Sequence, residues 1–207
     1  MTFQPAIPLG GLAGWSFLNR TRDAQVEAFT ASSTVQRNLT YFRENIAEVN
    51  SAEQLVNDRR LLEVSLGAFG LSEDINNKFF IQKVLSEGVL EDEAFVNRLA
   101  DKRYKAMSEA FGFELSPPNT VLSTFPAEIE EAYIARSFEA AVGEQDQNMR
   151  LALGLERELS ALSDSGLSET AAWFTIMGTP PLRAVFESAF GLPPQTGALD
   201  LDRQLEI

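Results

Sequence analysis

The side chains that could do chemistry in this chain are almost all carboxylates. Two acidic pairs, Glu128/Glu131 and Glu156/Glu158, offer one carboxyl to donate and another to accept a proton, as in glycoside hydrolysis. The segment Asp200-Leu201-Asp202 has the first oxygen ligands of a calcium loop, but the later ligands and the glycine of an EF-hand do not follow. Gly10-Gly11-Leu12-Ala13-Gly14 has glycine spacing loosely like a nucleotide loop, yet no strand precedes it and neither phosphate-loop pattern fits. The 207 residues contain no histidine and no cysteine. Zinc and haem ligation by histidine, thiolate chemistry, disulfides and a Ser-His-Asp triad are thereby excluded. Acidic pairs on helices are ordinarily solvated faces, so the expectation is a non-enzymatic protein with no catalytic residues, no metal site and no cofactor.

Charge gives a second bound. Seventeen basic residues stand against 30 acidic ones, a net charge of −13, which argues against phosphate-backbone binding and hence against nucleic acid. Residues 1–105 carry a net −2 and residues 106–207 a net −11. The carboxy-terminal half is thus either a solvated acidic surface or a face for a basic protein partner. No run approaches 18 apolar residues, so no membrane span is expected. The first residues lack the basic and apolar regions of a secretory signal. The expected location is cytoplasmic by default, with flagellar association or export without a cleaved signal as alternatives.

The elements that must position these residues read as helices. Apolar residues recur near a 3.6-residue period, cap signals flank the runs, and alternating strand patterns are missing. The expected fold is all-α, a multi-helix bundle of about eight helices with repeated helix pairs. It divides into an extended N-terminal arm (1–19), a bundle domain (20–192) and a C-terminal tail (193–207). Helices are expected over 23–31, 34–49, 51–69, 73–87 and 92–111. After a loop over 113–125 they resume at 126, break near Gly143, and continue to Gly191. Val35, Leu39, Phe42, Ile46 and Val49 form one buried stripe, and Leu151, Leu155, Leu159 and Leu162 another. In the helix over 92–111, Phe95, Leu99, Ala106 and Ala110 are expected to face inwards and Ser108 to face water.

Three helices end alike, in Ala68-Phe69-Gly70-Leu71, Ala110-Phe111-Gly112-Phe113 and Ala189-Phe190-Gly191-Leu192. A glycine in the left-handed conformation, with an apolar residue folding back beyond it, is the expected geometry. The arm residues Phe3, Ile7, Leu9, Leu12, Trp15 and Phe17 are unusually apolar for a segment expected to be extended. They are candidates either for packing on their own bundle or for binding another protein.

Together, Pro5-Ala6-Ile7-Pro8, Gly10-Gly11-Leu12-Ala13-Gly14-Trp15, Tyr41-Phe42-Arg43-Glu44-Asn45-Ile46, Ala68-Phe69-Gly70-Leu71, Asp74-Ile75-Asn76-Asn77-Lys78, Asp101-Lys102-Arg103-Tyr104 and Pro180-Pro181-Leu182-Arg183 resemble an alphaproteobacterial domain of unknown function, family 1217. The resemblance spans nearly the whole chain. It implies a setting rather than an activity, because genes of this family often lie in flagellar gene clusters, and it carries over no catalytic residue. The expected function is therefore a structural or protein-interaction role, flagellum-associated by resemblance, with flagellar components as partners. The alternative is a cytoplasmic helical adaptor or export chaperone for a secreted protein.

Overall fold

Pro5 and Pro8 keep the first residues out of a helix, and Gly10 serves as an extended N-cap before Gly11 at φ +62°. From there the computed structural model, which describes residues 3–164, 166–200 and 203–204, is built of α-helices and short 3-10 turns, with no strand among the described residues. The helices are α1 (Gly11–Thr30), α2 (Ser33–Asn45), α3 (Ala52–Asn57), α4 (Arg59–Ala68), α5 (Lys78–Glu87), α6 (Lys102–Phe111), α7 (Phe125–Gly143), α8 (Gln147–Asp164), α9 (Glu169–Gly178) and α10 (Pro180–Phe190). The all-α bundle is as expected. Half of the arm is not extended, however: helix α1 begins at Gly11 rather than near residue 23, because no proline follows Pro8 within the arm and the Gly10-Gly11 pair serves as a start rather than a break. Leu201, Asp202 and residues 205–207 of the tail lie outside the described residues.

The core sits where α4 passes between α2 and α7. The stripe from Val35 to Val49 is buried throughout, although its last turn tightens into a 3-10 segment, Ile46–Glu48. Gly67 lets α4 approach α7 closely, since a Cβ there would lie 2.6 Å from the Tyr133 ring. Two expected long helices are interrupted. Asp58 is extended between α3 and α4, and its Oδ1 accepts from the backbone N–H groups of Arg60 and Leu61, at 2.9 and 3.0 Å. Asp101 likewise caps α6, accepting from Arg103 N at 3.0 Å. In each case an aspartate inside an apolar-periodic run starts a new helix.

The second interruption shifts the helical phase. Ser108 is fully buried, its hydroxyl donating to the Val84 carbonyl at 3.1 Å, while Ala106 is exposed. Met149, Leu153 and Gly154 are buried on α8 and Leu159 is exposed, because α8 meets α7 through a polar face. The break after Gly143 stands where the sequence places it. Ser51 and Ser168 cap α3 and α9 by accepting from Gln54 N and Ala171 N.

The three glycine endings take the expected left-handed form, with φ +70° at Gly70, +56° at Gly112 and +65° at Gly191. Leu71 N donates to Leu66 O and Leu192 N to Glu187 O, the six-residue closure of a Schellman ending. Gly112 N donates to Ser108 O, the simpler left-handed ending. Buried Ile176 and Leu182 of the α9–α10 hairpin lie outside the continuous core, which ends at Leu153 of α8.

Candidate functional site

A groove of about 910 Å³ runs between the α4 end, α7, α8 and the start of α10. Phe3, Phe29 and Tyr133 give it apolar walls, with Phe3 stacked edge-on against Phe29 at 5.3 Å between ring centres. Its charged lining mixes four arginines, Arg103, Arg136, Arg150 and Arg157, with five carboxylates, Glu73, Asp74, Glu139, Glu144 and Glu158.

Arg103 joins two distant segments. Its Nη1 donates to the Gly70 carbonyl at 2.5 Å while Nε and Nη2 engage Asp101, so it closes the carbonyl end of α4 with a cation. Next to it, Tyr104 Oη donates to Asp74 Oδ2 at 2.7 Å. Burial and the Asp74 carboxylate both push the Tyr104 phenol well above its usual range, so it remains a donor. The Ala68-Phe69-Gly70-Leu71, Asp74-to-Lys78 and Asp101-to-Tyr104 motifs therefore meet at one end of the groove, and Pro180-Pro181 lines it at the start of α10.

Between α7 and α8, Arg157 pairs with Glu139 and Glu158, and Arg136 with Glu158 at 3.0 Å. Burial alone would raise the Glu158 carboxyl, but the fields of Arg136 and Arg157 outweigh it and hold the group below its ordinary value. The sign of its contribution to stability follows. As pH falls through the ordinary carboxylate range, the unfolded chain takes up a proton that the native one refuses, and stability is lost until the native carboxyl is protonated as well. We expect Glu158→Gln to flatten the dependence of chemical-denaturation stability on pH below about 4.5, the ordinary carboxyl value. An unchanged acid slope would show that these pairs do not hold α8 on α7.

The two carboxylate pairs of the sequence are not brought together as dyads. Glu128 and Glu131 are exposed on α7. Glu156 points outward to Arg22 at 3.5 Å while Glu158 faces the arginines. No group of three metal-ligating side chains occurs among the described residues.

The arm packs along its own bundle. Phe3, Ile7 and Trp15 lie against the core, and Phe17 is half-buried with the Arg20 guanidinium 5.6 Å from its ring centre. Gln25 grips Ala6 through both backbone groups, at 2.8 and 3.2 Å, and Gln145 donates to the Pro5 carbonyl at 2.6 Å. Leu9 and Leu12 are the two arm candidates left in solvent, 57% and 85% exposed. Sequence reasoning marked Arg103 within a motif and missed Arg136, Arg150 and Arg157, whose signal was glycine: Gly70 faces Arg103 and Arg136, Gly143 faces Arg150, and Gly154 faces Arg157.

Residues 68–207 match the family model described as protein of unknown function, DUF1217. The chain belongs to the DUF1217 family. The matched region begins at the first Ala-Phe-Gly ending and contains all four groove arginines, whereas the arm precedes it. This DUF1217 chain is also similar to the crystal structure of protein AGR_C_984 from Agrobacterium tumefaciens. The TM-score is 0.78 at 25% identity, covering 97% of this chain and 84% of that one. No curated protein matches it in sequence. No helix among the described residues is long and apolar enough to cross a membrane.

Proposed function

We propose that this DUF1217 protein is a non-enzymatic interaction protein that docks a protein partner through its N-terminal tip and works with the bacterial flagellum. The observation that carries the docking reading is the pair Leu9 and Leu12, exposed on either side of Gly10-Gly11, on a segment already fixed by Gln25 and Gln145. An apolar tip held in place loses little freedom on binding, and leucines held in water gain by being covered. The acidic carboxy-terminal half, net −11, suits a partner with basic residues beside its apolar contact. The non-enzymatic reading is supported by the groove, where Glu139 and Glu158 are tied to arginines and Asp74 accepts from Tyr104. The flagellar setting rests on the family resemblance alone.

The test is a pull-down of the tagged full-length chain from motile cells, beside the Leu9→Ser/Leu12→Ser variant. A flagellar component recovered with the parent and depleted at least about tenfold with the variant is expected, as loss of two buried leucine contacts implies. Deletion of the gene is expected to reduce swimming. Normal swimming together with no flagellar component in the pull-down would end the flagellar reading. Equal recovery by the variant would end the docking role of the tip.

A further inference from the structure

The α9–α10 hairpin carries a second concavity, which shares no residue with the groove. Trp173, Ile176 and Met177 fall on one face of α9, Phe186 and Phe190 stand one turn apart on α10, and Leu192 follows the Gly191 ending. Together they line a pocket of about 340 Å³. Ile176 is buried, Trp173, Met177 and Phe186 are half-buried, and Phe190 is 63% exposed, so the rings do not close over one another. Arg183 and Glu187, its one cation and one carboxylate, are four residues apart on α10, so the pocket is neutral and selects by apolar contact.

The same chain carries a knob for such a pocket. Leu9 and Leu12 stand in water, and a Cβ at Gly10 or Gly11 between them would meet nothing within 4 Å, so the tip is clear of its own bundle. Gln25 and Gln145 pin the segment there, which offers the leucines to another molecule rather than to this chain's own hairpin. A pocket of this volume encloses a small organic group, and two leucine side chains supply one. Charge agrees in sign: residues 1–22 contain two arginines and no carboxylate, whereas residues 106–207 carry a net −11. Arg22 is taken by Glu156, which leaves exposed Arg20 for a neighbour.

We propose that the chain associates head to tail, the Leu9/Leu12 tip of one copy seated in the Trp173–Phe186–Phe190 pocket of the next. The proposal rests on the reading of the tip as a docking surface and names its partner as a second copy. A knob and a pocket at different places on one molecule make a heterologous contact, which repeats into a row or closes as a ring.

Sedimentation equilibrium on the full chain tests it, with circular dichroism to show that each variant keeps its helices. The mass of the parent is expected to rise with concentration. Leu9→Ser/Leu12→Ser and Phe190→Lys are each expected to weaken association at least about tenfold, as loss of buried apolar contacts implies. Mixed together, the two variants should form a one-to-one pair that grows no further, because one keeps only its pocket and the other only its tip. Phe79→Ser, at a phenylalanine 83% exposed on α5, should associate like the parent. A parent that stays single, association unchanged in either variant, failure of the mixture to pair, or an equal loss with Phe79→Ser would each overturn the proposal. A parent that stays single yet loses its flagellar component with the tip variant would overturn self-association and leave the docking role of the tip standing.

Discussion

Phe111→Ala is expected to destabilise the protein by about 3–5 kcal/mol, measured as a lower midpoint of urea unfolding at unchanged slope. Phe111 ends α6 with no exposed surface. Its ring meets Phe69 at 6.4 Å, Phe113 at 5.5 Å and Phe125 at 5.0 Å, the last edge-on. These three partners come from the end of α4, the turn beyond α6 and the start of α7, so one side chain joins three chain segments. Truncation removes the transfer energy of a large apolar group and the ring-on-ring preference, and leaves a void that surrounding rings cannot collapse to fill. A change below about 1 kcal/mol, the typical effect of an ordinary substitution, would refute this role.

Leu62→Ala is the second large effect, at about 2–5 kcal/mol. Leu62 is 0% exposed in the first turns of α4, the helix packed between α2 and α7, and its backbone N–H donates to Asp58 O at 2.9 Å. Both flanking helices are themselves pinned. Arg43 of α2 reaches Glu130 of α7 at 2.5 Å, and Gly67 sits against Tyr133. A cavity at Leu62 is therefore expected to stay open rather than be closed by helix movement. The same unfolding measurement checks it, and a loss under about 1 kcal/mol would mean that α2 and α7 close over the gap.

The fold was legible in the sequence wherever periodicity and a terminator agreed. The stripe from Val35 to Val49, the glycine endings at Gly70, Gly112 and Gly191, and the break after Gly143 are each local signals, and each is present. The failures share a cause. Asp58-Arg59-Arg60 and Asp101-Lys102-Arg103 look like exposed charge inside a continuing helix, yet each aspartate folds onto the amides that follow and opens a new one. Once the helix restarts, extrapolated phase misplaces residues such as Ser108 and Ala106. Leu12 falls within the expected extended arm because Pro5, Pro8 and the Gly10-Gly11 pair precede it, whereas Gly10 and Gly11 are the entry to α1.

The site was much less legible. Its lining runs from Phe3 to Ala184, and no window of helical length holds more than a fraction of it. The motif residues Gly70, Asp74, Arg103 and Pro180 were visible as points of resemblance, but nothing in their spacing says that they meet. The glycine opposite each arginine was the available signal.

The position of the α9–α10 hairpin outside the continuous core gives the two walls of the groove unequal persistence. The wall formed by α4 and α7 is continuous with the main body and opens only when the body unfolds. The Thr179–Pro181 wall belongs to a hairpin that closes on itself through Trp173 against Phe186 at 5.5 Å and rests on α8 from outside that body. Such a unit opens at a lower free energy than the rest. The groove is thus an aperture with one fixed jaw and one that can yield, and its width is a property of the last third of the chain rather than of the bundle that carries the fold.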